Sequence, residues 1–124
     1  MLSSVELNRP QIIFLRVVAV FYFIGAMLHL ADFFDLRLHF SEMDVIWKMW
    51  IVYLLVLDTV TAIGLWKNKF WGIAAFFVVS ISQLVAYLTF RDFFGSQWPL
   101  IVFHLIALGT FFYLGGLRRL YSRA

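Results

Sequence analysis

The chain has 124 residues, of which 64% are hydrophobic, 20% aromatic and only 14% charged, and its mean hydropathy is +0.91. A soluble core of this size cannot bury so much apolar side chain, so much of the surface must face lipid. The net charge of +3 rests on a few basic residues that flank apolar runs, and there is no cysteine. A nucleic-acid interface, disulfides, thiol catalysis and thiolate metal sites are thereby excluded.

Hydropathy and punctuation predict one all-α membrane domain of four spans, each near the length of about 20 residues that a bilayer requires. The first covers about residues 11–31, behind Pro10. Its apolar part is too long for a cleaved signal peptide and no Ala-x-Ala site follows, so it is expected to stay in the mature protein. The second covers about residues 45–66, behind the acidic segment SEMD, which can cap its start. The third, about residues 70–90, follows the tight turn KNK, and the fourth, about residues 98–117, opens with Trp-Pro and ends at Gly115-Gly116. Together they describe a four-helix bundle filling residues 1–124.

Charge asymmetry orients these spans. Arg9, Lys67, Lys69, Arg118, Arg119 and Arg123 fall on the side of the two termini and the second turn, against Arg37, Lys48 and Arg91 on the other. The excess places both termini in the cytoplasm, as expected for a bacterial inner membrane protein. The far side gathers Asp32, Asp35, Glu42, Asp44 and Asp92. Trp47, Trp50, Trp66, Trp71 and Trp98 all lie near span ends, where an indole buries its ring and keeps its N–H hydrated, so all five read as interfacial anchors.

Two charges interrupt the spans. At about 1.5 Å per residue, Arg16 lies roughly 9 Å beyond Pro10 and Asp58 roughly 12 Å short of Trp66, at similar depth. Because an unpaired ion in hydrocarbon costs about 3 kcal/mol or more, the economical expectation is an Arg16–Asp58 ion pair fastening span two to span one. The alternatives are an Arg16 that snorkels alone to the headgroups with a protonated Asp58, or a proton-carrying role for the acid. The lack of a second buried acid weakens the last.

The outer half holds a second constellation. His29 lies near the outer end of span one, His104 about two turns below the outer end of span four, and Gln83 at comparable depth on span three. Asp32 follows His29 by three residues on the same helical face, and His39 reads as interfacial. His and carboxylate ligands suit copper, zinc or iron, two imidazoles from different helices suit a haem, and the same layer suits a quinone or lipid contact. Against these stands the plain interhelical hydrogen bond.

The outer turns share a tripeptide, ADFFDL and RDFFGS. Two related hairpins are one reading, and Phe-rich caps dipping into the headgroups or docking a second subunit are the other. Gly25, Ala26, Ala62, Gly64, Gly72, Ala74, Ala75, Ser82, Ala86, Ala107 and Gly109 are the small residues that permit close helix approach.

The stretches FLRVVAVFYFIGAMLHL and LDTVTAIGLWKNKFWGIAAFFVVSISQ, with the closing fourth span, resemble the DoxX-like group of small four-helix membrane proteins. The pattern is an Arg early in span one (Arg16), a Gly near its end (Gly25), an acid in span two (Asp58), then Gly64, the basic turn from Lys67 to Lys69, and the small residues from Gly72 to Ala75. Many members carry Glu where this chain has Asp58. The resemblance implies a four-helix bundle and, in some members, association with membrane oxidoreductases.

Two functions are expected from this reading. The first is a non-catalytic accessory subunit of a larger membrane complex, an oxidoreductase, in contact with lipids and with other subunits or further copies of itself. It is favoured over an enzyme because no nucleophile–base pair at a readable spacing and no phosphate-cradling loop is present. The second is a redox membrane protein that binds haem, copper or another metal, or a quinone, through His29, Asp32, Gln83 and His104.

Overall fold

The computed structural model describes residues 7–115. It is all-helical, with no strand among the described residues. The elements are α1 (Arg9–Phe33), a 3-10 turn (Phe40–Glu42), α2 (Val45–Trp66), α3 (Phe70–Thr89), the single turn α4 (Arg91–Phe94) and α5 (Trp98–Tyr113).

Helix α1 starts two residues earlier than expected because Asn8 and Gln11 form a reciprocal cap. The Gln11 N–H donates to Asn8 Oδ1 at 2.9 Å, and the Asn8 N–H donates to Gln11 Oε1 at 3.0 Å. It ends as Asp35 turns to φ 59°. The Asp35 carboxylate accepts from the Ser41 N–H at 2.9 Å, and that bond holds its carboxyl below the ordinary carboxylate range. Helix α2 has the expected bounds. Asp44 occupies its N-cap position, yet its side chain makes no capping bond, so its contribution to the helix start is its charge. Asn68, at φ 56°, turns the chain into α3, and Gly95, at φ 78°, turns it toward α5. Helix α5 stops at Tyr113 because Gly115 leaves helical conformation at φ 81°. The expected span to residue 117 is therefore shorter, and its last residues lie outside those described.

Helices α1, α2 and α3, of 25, 22 and 20 residues, are long and apolar enough to cross a membrane. Helix α5 is apolar but has 16 residues, about 24 Å against a hydrocarbon thickness of about 30 Å. Each helix buries one stripe at helical spacing, such as Leu15, Val18, Tyr22 and Ala26 on α1 and Ile73, Phe76, Val79, Ser80 and Gln83 on α3. The opposite faces are just as apolar, with Val20, Ile24, Val78 and Ile106 about half exposed or more. A helix apolar on all sides fits lipid surroundings.

Consecutive helices pack on one another, and α5 returns to α3 and, more lightly, to α1. The tightest approach lies beside the α2–α3 turn, where a Cβ on Gly64 or Gly72 would fall inside the other's backbone. Gly109, expected at a helix contact, instead faces open space. The outer Phe turns fold back in part. Phe93 stacks on Trp47, and Phe94 packs on Trp47, Trp50 and Tyr87.

Candidate functional site

At the acidic end, α1, α2, α3 and α5 enclose a cavity of about 390 Å³. His29, Asp32, Gln83 and His104, the four residues expected in one outer layer, all line it, and Asp58 lines it with them. On α1, Tyr22, Gly25, His29 and Asp32 form one stripe at helical spacing facing this space. Gly25 is there for the acid: a Cβ at that position would lie 2.9 Å from Asp58 Oδ2.

The expected Arg16–Asp58 pair does not form. Arg16 is exposed, and its guanidinium lies over the Trp66 ring, 5.0 Å from the centroid. Asp58 lies against Gly25 and His29 instead. Nine residues separate Arg16 from Gly25, which is about 13 Å along α1 and half a turn around it, beyond the reach of an arginine. Counting inward from span ends assumed level ends. In fact Trp66, the last residue of α2, sits beside a point about two turns inside α1.

The His29 ring lies between two carboxylates. Its Nε2 is 3.6 Å from Asp58 Oδ2 and its Nδ1 3.7 Å from Asp32 Oδ2, contacts slightly longer than hydrogen bonds. Asp32, fully buried, accepts from Arg37 Nη2 at 2.7 Å and from the Leu38 N–H at 3.3 Å. Arg37 and the backbone thus fix the Asp32 carboxyl beside His29 Nδ1, and Nε2 lies on the side of Asp58. Because the two carboxylates flank opposite ring nitrogens, the three groups do not converge on one point. Among the described residues no group of three or more His, Asp or Glu side chains is placed to hold a metal ion.

Across the cavity, the Tyr22 hydroxyl bridges Ser80 Oγ at 2.9 Å and His104 Nδ1 at 3.3 Å. When Ser80 donates to Tyr22 and Tyr22 to Nδ1, the His104 proton resides on Nε2 and points outward from this network. Trp50 Nε1 donates to the Tyr87 hydroxyl at 3.2 Å. Three buried atoms among the cavity's polar side chains have no hydrogen-bond partner: Asp58 Oδ1, His29 Nδ1 and His104 Nε2. Buried polar groups are nearly always satisfied, so these three atoms set this layer apart from the apolar packing around it.

Sequence reasoning missed Tyr22, Tyr87 and Arg37 as part of this site. Trp47 and Trp50, expected as anchors, line the cavity. Trp66, Trp71 and Trp98 stay exposed at helix ends, as anchors would. The signal for the missed residues was periodicity: Tyr22 and His29 share a face of α1, and Ser80, Gln83 and Tyr87 share one of α3. His39 lies exposed beyond α1.

No curated protein and no solved structure matches this sequence. The DUF6163 family profile, described as a family of unknown function, matches residues 10–120. With that match running over most of its length, the chain belongs to the DUF6163 family.

Proposed function

We propose that this protein is an integral membrane protein that binds a quinone-class molecule, a ring bearing carbonyl or hydroxyl oxygens, in the cavity at its acidic end. The observation that carries the proposal is that Asp58 and His104, both lining one aromatic-walled cavity, each hold a buried polar atom without a hydrogen-bond partner, Oδ1 and Nε2. A ring hydroxyl donates to Asp58 and a ring carbonyl accepts from His104, while Tyr22, Trp50 and Phe103 supply flat apolar walls. The volume of about 390 Å³ falls in the range of roughly 300–1,000 Å³ typical of small-molecule sites. His29, held by Asp32, stands ready to exchange the hydroxyl proton with Asp58. The DoxX-like resemblance supports a setting among membrane oxidoreductases. In this proposal four spans bundle in a bacterial inner membrane with both termini cytoplasmic, so reporters fused after Ala124 and inserted at Asn68 are expected on the same, inner side. Opposite sides for the two reporters would refute that topology.

The test of function is gentle extraction of the protein from its native membrane, followed by optical, elemental and mass analysis of what it retains. The expected result is about one quinone-class molecule per chain. A folded preparation without one, or one with a haem Soret band and stoichiometric iron, overturns the proposal. A second reading, the non-catalytic accessory subunit, is favoured by α5. That helix buries only His104, Ala107 and Phe111, while Leu105 and Ile106 stay more than half exposed. Native electrophoresis separates the two readings: migration with a larger complex and no retained ring compound favours the accessory role.

A further inference from the structure

Arg16 has no part in the cavity, and among the described residues it has no acidic partner. Its guanidinium rests on Trp66, and on α1 it begins a stripe that continues through Ala19, Val20 and Phe23. The facing stripe of α2 is Ala62, Ile63, Trp66 and Lys67. Between them runs an open groove of about 360 Å³ with an entirely apolar lining surface. Its floor is the buried pair Ala19 and Ala62, and its walls are the half-exposed Val20, Phe23, Ile63 and Trp66. Two small residues in register open the groove, and two cations stand at one end of it.

From this geometry we infer that the groove between α1 and α2 is a binding site for one anionic phospholipid. An acyl chain lies over Ala19 and Ala62, and the headgroup phosphate is held by Arg16 and Lys67. Charge complementarity selects the occupant. Arg16, on Trp66, and Lys67 are the cations at the groove, and no acid is among the residues that line it. The nearest described acid along α2 is Asp58, about 12 Å from Trp66 along the helix axis. A phosphate accepts from guanidinium and ammonium alike. The Trp66 ring fixes the guanidinium at the headgroup end of the groove, so Arg16 is positioned before the lipid arrives. This assignment also explains how an arginine is tolerated within a span with no described acid beside it.

The test is native mass spectrometry of the full-length purified protein, delipidated and then offered equal amounts of phosphatidylglycerol and phosphatidylcholine. One retained phosphatidylglycerol is expected, with at least tenfold preference over phosphatidylcholine. Each of Arg16→Gln and Lys67→Gln is expected to reduce that preference about fivefold, from the roughly 1 kcal/mol that a basic residue contributes at an anionic lipid. Val20→Trp, at an exposed wall position, fills the groove from the side and is expected to abolish retention with both cations intact. Arg9→Gln is expected to leave the preference unchanged, and excess inorganic phosphate is expected not to displace the lipid. Equal retention of the two lipids, several lipids bound without preference, or a preference that survives Arg16→Gln with Lys67→Gln overturns the inference. So does displacement by free phosphate.

Discussion

Gly72→Ala is expected to destabilise the protein by about 3 kcal/mol or more, at the top of the range for overpacking. The added methyl would fall inside the backbone of Gly64 and Leu65, not against a side chain that can swing aside. Relief requires α2 and α3 to separate next to their short turn, which pulls apart the helices carrying Asp58 and Gln83. Gly64→Ala is expected to act in the same way, because its Cβ meets the backbone of Gly72. Gly109→Ala is the control: nothing lies within 4 Å of its added methyl, and the gain in helix propensity is expected to stabilise by up to about 1 kcal/mol. Thermal unfolding in detergent, followed by circular dichroism, reads all three. A Gly72→Ala protein as stable as Gly109→Ala would show that the two helices do not touch through their backbones.

Asp58→Leu and His104→Phe are each expected to weaken quinone binding about tenfold, and about a hundredfold together, since each removes one hydrogen bond worth about 1.4 kcal/mol or somewhat more. Saturable quenching of Trp50, which lines the cavity, reports occupancy. Both substitutions replace a buried polar group by an apolar one of similar size, so they leave no newly orphaned side chain at their own positions, and Tyr22 keeps its bond to Ser80. Arg16→Gln is expected to leave affinity unchanged, because Arg16 stands on Trp66 and not at the cavity. For the same reason, exchanging the charges of Arg16 and Asp58 is expected to bring no recovery over the single reversals. Unchanged affinity in the Asp58→Leu, His104→Phe protein would remove both residues from binding.

Legibility in the sequence followed the kind of signal each feature left. The bounds of α2 were readable because charged, turn-forming segments stand at both of its ends. The start of α1 was set by the Asn8–Gln11 cap, a four-residue pattern weaker than the hydropathy edge at Pro10. The outer layer of His29, Asp32, Gln83 and His104 was readable because residues near the same end of antiparallel spans share depth without any assumption about rotation. The partner of Asp58 was not readable, because pairing depends on register and rotation as well as depth. A stagger of about two turns between α1 and α2 moved Arg16 out of range. Gly25 held the missing information, since a glycine facing an acid from the next helix marks where that acid fits. The aromatic walls were hidden by composition: in a chain with 15 Phe, 5 Tyr and 5 Trp, ring content alone does not separate a cavity wall from a lipid face.

Occupancy of the cavity at the acidic end by a ring compound is read by photocrosslinking with a light-activated quinone followed by peptide mapping. The expected adducts lie on Trp50, Tyr87 and His104, three cavity residues from three different helices. They are expected to disappear when unlabelled quinone competes. Adducts confined to outward-exposed positions such as Val78 and Ile106, undiminished by competitor, would show that no ring compound binds in the cavity.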